Sequence, residues 1–151
     1  MLEFQVEKNY AHSADKVWAI IGDFGGLQSW MPGVLACRVE GEGAVDKGGN
    51  AERIVDVMDG SVTRERLEEF SPEQRRFVYS IQAARGFDAS SEYFGTVCVI
   101  PEGEAACRVT WSARFRLPDG IPAEKGPRAC ERIAAMYSMC LANLEAVLAA
   151  G

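Results

Sequence analysis

The chain has 151 residues, 48% hydrophobic and 25% charged, with a formal net charge of −6. That is an ordinary globular composition, long enough for one sizeable core and too short for two, so a single domain over 1–151 is expected. The negative balance argues against nucleic acid or an anionic membrane surface as a partner.

At the start, Leu2, Phe4 and Val6 alternate with Glu3, Gln5 and Glu7, the period of a half-buried strand rather than of a signal-peptide core. No apolar run approaches membrane-spanning length, so a cytoplasmic protein without stable membrane insertion is expected. Ser13 suits a helix N-cap, Asp15 its first turn, and Val17, Trp18, Ile20 and Ile21 an apolar face. Gly22 ends that helix, a second short helical piece runs to Trp30, and Met31-Pro32-Gly33 stops it. Strands are then expected over Leu35–Val39, AERIVDVM, SVTRERLEEF, RRFVYSIQ, EYFGTVCVI and CRVTWSARFRL, with a hairpin turn at Asp59-Gly60. The last strand is the plainest: Val109, Trp111, Ala113 and Phe115 alternate with Arg108, Thr110, Ser112 and Arg114. Such alternation marks an antiparallel sheet with one dry face.

Pro127 suits the first turn of a helix running to about Ala150, with Ile133, Met136, Tyr137, Cys140, Leu144, Val147 and Leu148 at helical spacing. The layout is α+β: a curved antiparallel sheet of about seven strands around a long C-terminal helix, with two short helices after the first strand. One helix does not fill the hollow of such a sheet, so a cavity is expected.

Glu65 raises a question within this pattern, because it shares the strand face of the core residue Leu67. Arg53 likewise shares the face of Val55 and Val57. Antiparallel pairing about Asp59-Gly60 places Arg53 directly opposite Glu65, where opposite charges attract. The pair reads as a polar anchor for a ligand, as a structural ion pair, or as two charges reaching solvent at the sheet rim. Arg64, Arg66 and Glu68 fall on the other face and read as solvated surface.

Several stretches resemble a known family. ADKVWAIIGDFGGLQSW with its following Pro-Gly turn, the hairpin with RERLEEF, and YFGTVCVIPEGEAACRVTWSARF resemble the polyketide cyclase/dehydrase and lipid-transport proteins. These belong to the helix-grip superfamily, with START domains, the major pollen allergens and plant abscisic-acid receptors. The resemblance covers nearly the whole chain. It implies a hydrophobic cavity between sheet and C-terminal helix that binds a polyketide-, lipid- or isoprenoid-like molecule. The hairpin is also similar to that of plant lachrymatory-factor synthases, which carry an Arg–Glu pair inside the cavity. That likeness implies an alternative: a cofactor-independent lyase, isomerase or cyclase, with Glu65 as general acid/base and Arg53 stabilising an oxyanion. Many bacterial relatives carry a proline in the segment Ala83–Ser90; this chain does not, and the segment is a candidate gate.

Candidate ligand contacts are Trp30, Leu67, Tyr79, Phe87, Tyr93, Trp111, Met136, Tyr137 and Cys140; core packing is the usual reading of inward aromatic and Met residues, and Phe87 also reads as an ordinary exposed loop aromatic. Tyr79 and Tyr93 stand out because a buried phenol needs a polar partner, and Phe87 reads as a lid. Trp18 and Phe115 are assigned to the core. Cys140 lacks a histidine partner, which favours packing over a nucleophilic role. The five cysteines (Cys37, Cys98, Cys107, Cys130, Cys140) and the lone His12 make no metal-ligand spacing, and no cofactor motif is present. The expectation is therefore no metal and no cofactor, with a monomer or homodimer that takes a small hydrophobic ligand. A module that recruits a partner protein when its ligand is bound is the remaining reading.

Overall fold

Alternation in the sequence becomes a single antiparallel sheet in a computed structural model that describes residues 1–151. Its strands are β1 (Leu2–Tyr10), β2 (Val34–Glu40), β3 (Glu52–Val57), β4 (Val62–Ser71), β5 (Arg76–Ala84), β6 (Phe87–Asp88), β7 (Phe94–Pro101) and β8 (Cys107–Phe115). The spatial order is β1-β8-β7-β5-β4-β3-β2, with the two-residue β6 paired to the end of β5. Two helices accompany it: α1 (Ala14–Ile21) and α2 (Gly126–Ala150). The second short helical piece expected before Trp30 is one 3-10 turn, Leu27–Ser29. Ser13 caps α1 by accepting from the Lys16 amide.

The sheet bends where its ladders slip. Pairing of β4 with β5 shifts between Arg64 and Glu65 and again between Leu67 and Glu69, and β2 slips against β3 between Val34 and Ala36. Bulges of this kind add local twist and bend a strand, and here they lie on the β2–β5 half of the sheet. The concave face carries the core, where Val109, Trp111, Ala113 and Phe115 of β8 are all buried as their alternation requires. Three convex-face residues, Ile54, Val78 and Ser80, are buried as well. Ile54 lies in register between Arg38 and Arg64, whose stems can cover it, and Ser80 donates to Glu68.

By length and composition α2 could cross a membrane, contrary to the expectation that no apolar run is long enough. In the fold its buried stripe, which includes Ile133, Tyr137, Leu141, Leu144 and Leu148, packs within the core. Polar ties help to fix its height over the sheet. Tyr10 Oη donates to the Leu141 carbonyl at 2.6 Å, Asn143 Nδ2 donates to the Trp30 carbonyl at 2.7 Å, and Lys8 pairs with Glu145 at 2.8 Å. The Tyr137 ring also stacks on Trp111 at a centroid distance of 3.7 Å.

Candidate functional site

The hairpin β3–β4 supplies the one buried ion pair. Asp59 accepts from the Ser61 amide and hydroxyl, and Gly60 at φ +89° completes the turn. Closing the turn there sets the register, and Arg53 pairs with Glu65 across the ladder. Arg53 Nε donates to Glu65 Oε1 at 2.7 Å, with side chains only 4% and 13% exposed. Arg53 Nη1 donates to the Phe24 carbonyl at 3.1 Å, and its guanidinium lies 4.5 Å from the Phe24 ring and 5.2 Å from that of Tyr79. Cation–π contact suits a weakly hydrated guanidinium that has left water. Arg53 Nη2 and Glu65 Oε2 take no protein partner, yet neither is sealed from solvent.

Beside this pair lies an array of phenols. Trp111 Nε1 donates to Tyr79 Oη at 3.0 Å, Tyr79 Oη meets Tyr137 Oη at 2.9 Å, and Tyr137 Oη bonds to Tyr93 Oη. All three tyrosines are at most 3% exposed. Burial pushes each phenol above its ordinary pKa; the Glu65 carboxylate adds to this at Tyr79, and the neighbouring phenol of Tyr79 does so at Tyr93 and Tyr137. The array is therefore neutral at physiological pH and keeps its protons.

Pair and array share a cavity of about 320 Å³ in which fourteen of the twenty-two lining residues are hydrophobic. This lies at the small end of the range for ligand pockets. Arg53, Glu65, Tyr79, Phe87, Tyr93, Trp111, Met136 and Tyr137 line it. Trp30, Leu67 and Cys140 do not, which corrects three expected contacts. Each is buried among core side chains away from the cavity. Trp30 packs on Trp111 at 5.9 Å with its indole nitrogen buried and unpartnered. Leu67 is covered opposite Tyr79, and Cys140 is 1% exposed on α2. Burial pushes the Cys140 thiol up to about 11, so thiolate is scarce.

The expected gate is mostly regular structure. β5 continues to Ala84, Gly86 at φ +85° makes the turn, and β6 returns. Phe87 is half-buried, edge-on to Tyr93 at 5.4 Å and to Phe115 at 5.6 Å, and it forms part of the wall. Arg85 Nη1 reaches Asp59 at 3.2 Å and joins the two turns at the mouth.

Sequence reasoning passed over Met31 to Val34, Val57, Ile81 and Ile133 as ligand contacts, although they belong to the apolar lining. Parity could have found Val57 and Ile81, whereas the 31–33 loop has no period to read. A wider groove of about 900 Å³ lies mainly over the convex face, lined by Glu3, Gln5, Glu68, Glu69, Arg76 and Arg114 among others. Its charged, open lining suits water better than an apolar ligand, and the buried pair and phenols are elsewhere.

A bent antiparallel sheet that grips a C-terminal helix over an apolar cavity defines a helix-grip, hydrophobic-ligand-binding fold. The family description "Polyketide cyclase / dehydrase and lipid transport" matches residues 1–149, and the chain belongs to that family. Among solved structures it is similar to a protein of Bacillus thuringiensis, at 25% identity over 97% of this chain and 98% of that one, with a TM-score of 0.79. It is also similar to XoxI of Bacillus cereus, at 26% identity over 98% and 96%, with a TM-score of 0.78. A START superfamily protein of Mycobacterium smegmatis shares the fold at 14% identity over 98% and 94%, with a TM-score of 0.68. No curated protein matches the chain in sequence.

Proposed function

We propose that this protein binds a small, largely apolar molecule in the cavity between sheet and α2, with Arg53 and Glu65 as its polar anchor. One observation carries the reading: Arg53 Nη2 and Glu65 Oε2 take no protein partner inside a mainly hydrophobic chamber. A donor and an acceptor held side by side suit a hydroxyl or carbonyl group on the ligand, and the walls suit its hydrocarbon. Unpaired polar atoms at a site discriminate strongly against ligands that cannot satisfy them.

β-Naphthol, a fluorescent hydroxyl-bearing hydrocarbon, is the test probe. The wild type should bind it, and replacing the pair together (Arg53→Met with Glu65→Leu) should weaken binding by about tenfold, the cost of losing one charge-assisted hydrogen bond. Unchanged affinity in the double variant would remove the anchor. The accessible Glu65 Oε2 also favours a second reading, proton transfer to or from the bound molecule. In that case Glu65→Gln keeps binding and stops turnover of a carbonyl substrate, followed by proton exchange at its α-carbon; exchange at the wild-type rate would exclude it.

A further inference from the structure

The phenol array has a proton to spare. Three O–H groups meet at only two oxygen–oxygen links, Tyr79–Tyr137 and Tyr137–Tyr93, and each link uses one proton. The Tyr79 oxygen already accepts from Trp111 Nε1. Of the directions these links allow, the cooperative one, in which each oxygen accepts one bond and donates one, runs from Trp111 to Tyr79 to Tyr137 to Tyr93, with each bond polarising the next. At the end of the run stands Tyr93, whose oxygen meets no protein group except Tyr137. Its ring is pinned between aromatic neighbours, stacked on Phe115 at 5.3 Å and met edge-on by Phe87 at 5.4 Å, so it cannot swing to another acceptor. A buried O–H without an acceptor is unfavourable, and the cavity that Tyr93 lines is the direction from which an acceptor can come.

The dimensions narrow the occupant. About 320 Å³ is the volume of about ten waters in the liquid. That admits one or two fused rings, whereas most of a diacyl lipid or an extended polyketide chain would have to lie outside the mouth. Resting on the reading of this cavity as the ligand site, we propose that its occupant is a small cyclic carbonyl compound whose carbonyl oxygen accepts the Tyr93 O–H. The Arg53–Glu65 pair then meets a second polar group, if the compound has one, on another wall. Because burial keeps the phenols protonated, the array can donate and cannot serve as a base.

The test uses a matched pair of probes, α-tetralone and tetralin, which share a carbon frame and differ in the carbonyl. Calorimetric titration of the intact protein should give a preference of about fivefold or more for the ketone, the scale of one net hydrogen bond. Tyr93→Phe should bring that preference close to unity. A wild type without preference, or a Tyr93→Phe variant that keeps it, would overturn the assignment. If neither probe binds the wild type, the reading of the cavity as a ligand site fails and takes this inference with it. A second measurement needs no variant. The carbonyl stretch of isotope-labelled α-tetralone bound to the wild type should fall to lower frequency than in an apolar solvent, and an unshifted band would also overturn the proposal.

Discussion

Tyr79 and Gly95 face each other across the β5–β7 ladder, and the phenol ring fills the space that a side chain at position 95 would need. A Cβ added to Gly95 would collide with the ring at Cζ and Oη, so even alanine must displace Tyr79 and, through it, the links to Trp111 and Tyr137. Gly95→Ala should lower stability by about 1–3 kcal/mol, as overpacking of a well-filled core does. Urea unfolding checks this, and a midpoint equal to that of the wild type would show that the ring yields freely.

The Arg53–Glu65 pair should show the asymmetry of buried charges. Removing one partner leaves the other buried and uncompensated, at a cost of about 3–5 kcal/mol, whereas replacing both with apolar residues of similar volume is often neutral. Glu65→Leu alone should therefore be less stable than Glu65→Leu combined with Arg53→Met. Thermal unfolding of the four members of this cycle measures the coupling. Additive effects would mean that solvent already screens the pair.

Much of this was legible in the sequence. Alternation fixes the face of every β8 residue from Val109 to Phe115, and the Asp59-Gly60 turn alone brings Arg53 opposite Glu65. Parity reports a face but not which inward residues border the cavity, and so Leu67 and Cys140 read the same as Tyr79 and Tyr137. The ladder slips at Arg64/Glu65 and Leu67/Glu69 leave no mark in the pattern, although they bend the sheet. Nor could parity reveal that a loop carbonyl, that of Phe24, holds Arg53 from behind. The order of the phenol array is likewise hidden, because it depends on three rings from β5, α2 and the segment before β7 meeting in space.

The Cys140 thiol offers a pH test. Its pKa is raised from an ordinary 9.0 to about 11, with burial the cause. Below pH 9 folded and unfolded chains both keep this proton. Between about 9 and 11 the unfolded chain loses it while the folded chain holds it, so this group makes stability fall as pH rises through that window. At pH 8 the folded protein should resist alkylation by iodoacetamide at Cys140, as read by peptide mass spectrometry. Rapid labelling there in the folded state would contradict the burial.

Core and mouth should separate under truncation. Leu144 is fully buried on α2, so Leu144→Ala should cost about 2–5 kcal/mol. Met136 lines the cavity but is 41% exposed, so Met136→Ala should cost under about 1 kcal/mol while changing probe affinity. Denaturant unfolding and β-naphthol titration of both variants check the split, and a large stability loss at Met136 would place it in the core.

The central claim, that the chamber under α2 is the ligand site, is tested most directly by nuclear magnetic resonance titration of the labelled protein with β-naphthol. Shifts should concentrate on Arg53 Nε–H, Val55, Glu65, Ile81 and Met136, with the Arg53 side-chain signal among the largest. Shifts confined to the convex groove, at Glu68, Arg76 and Arg114, or none at saturating probe, would contradict it.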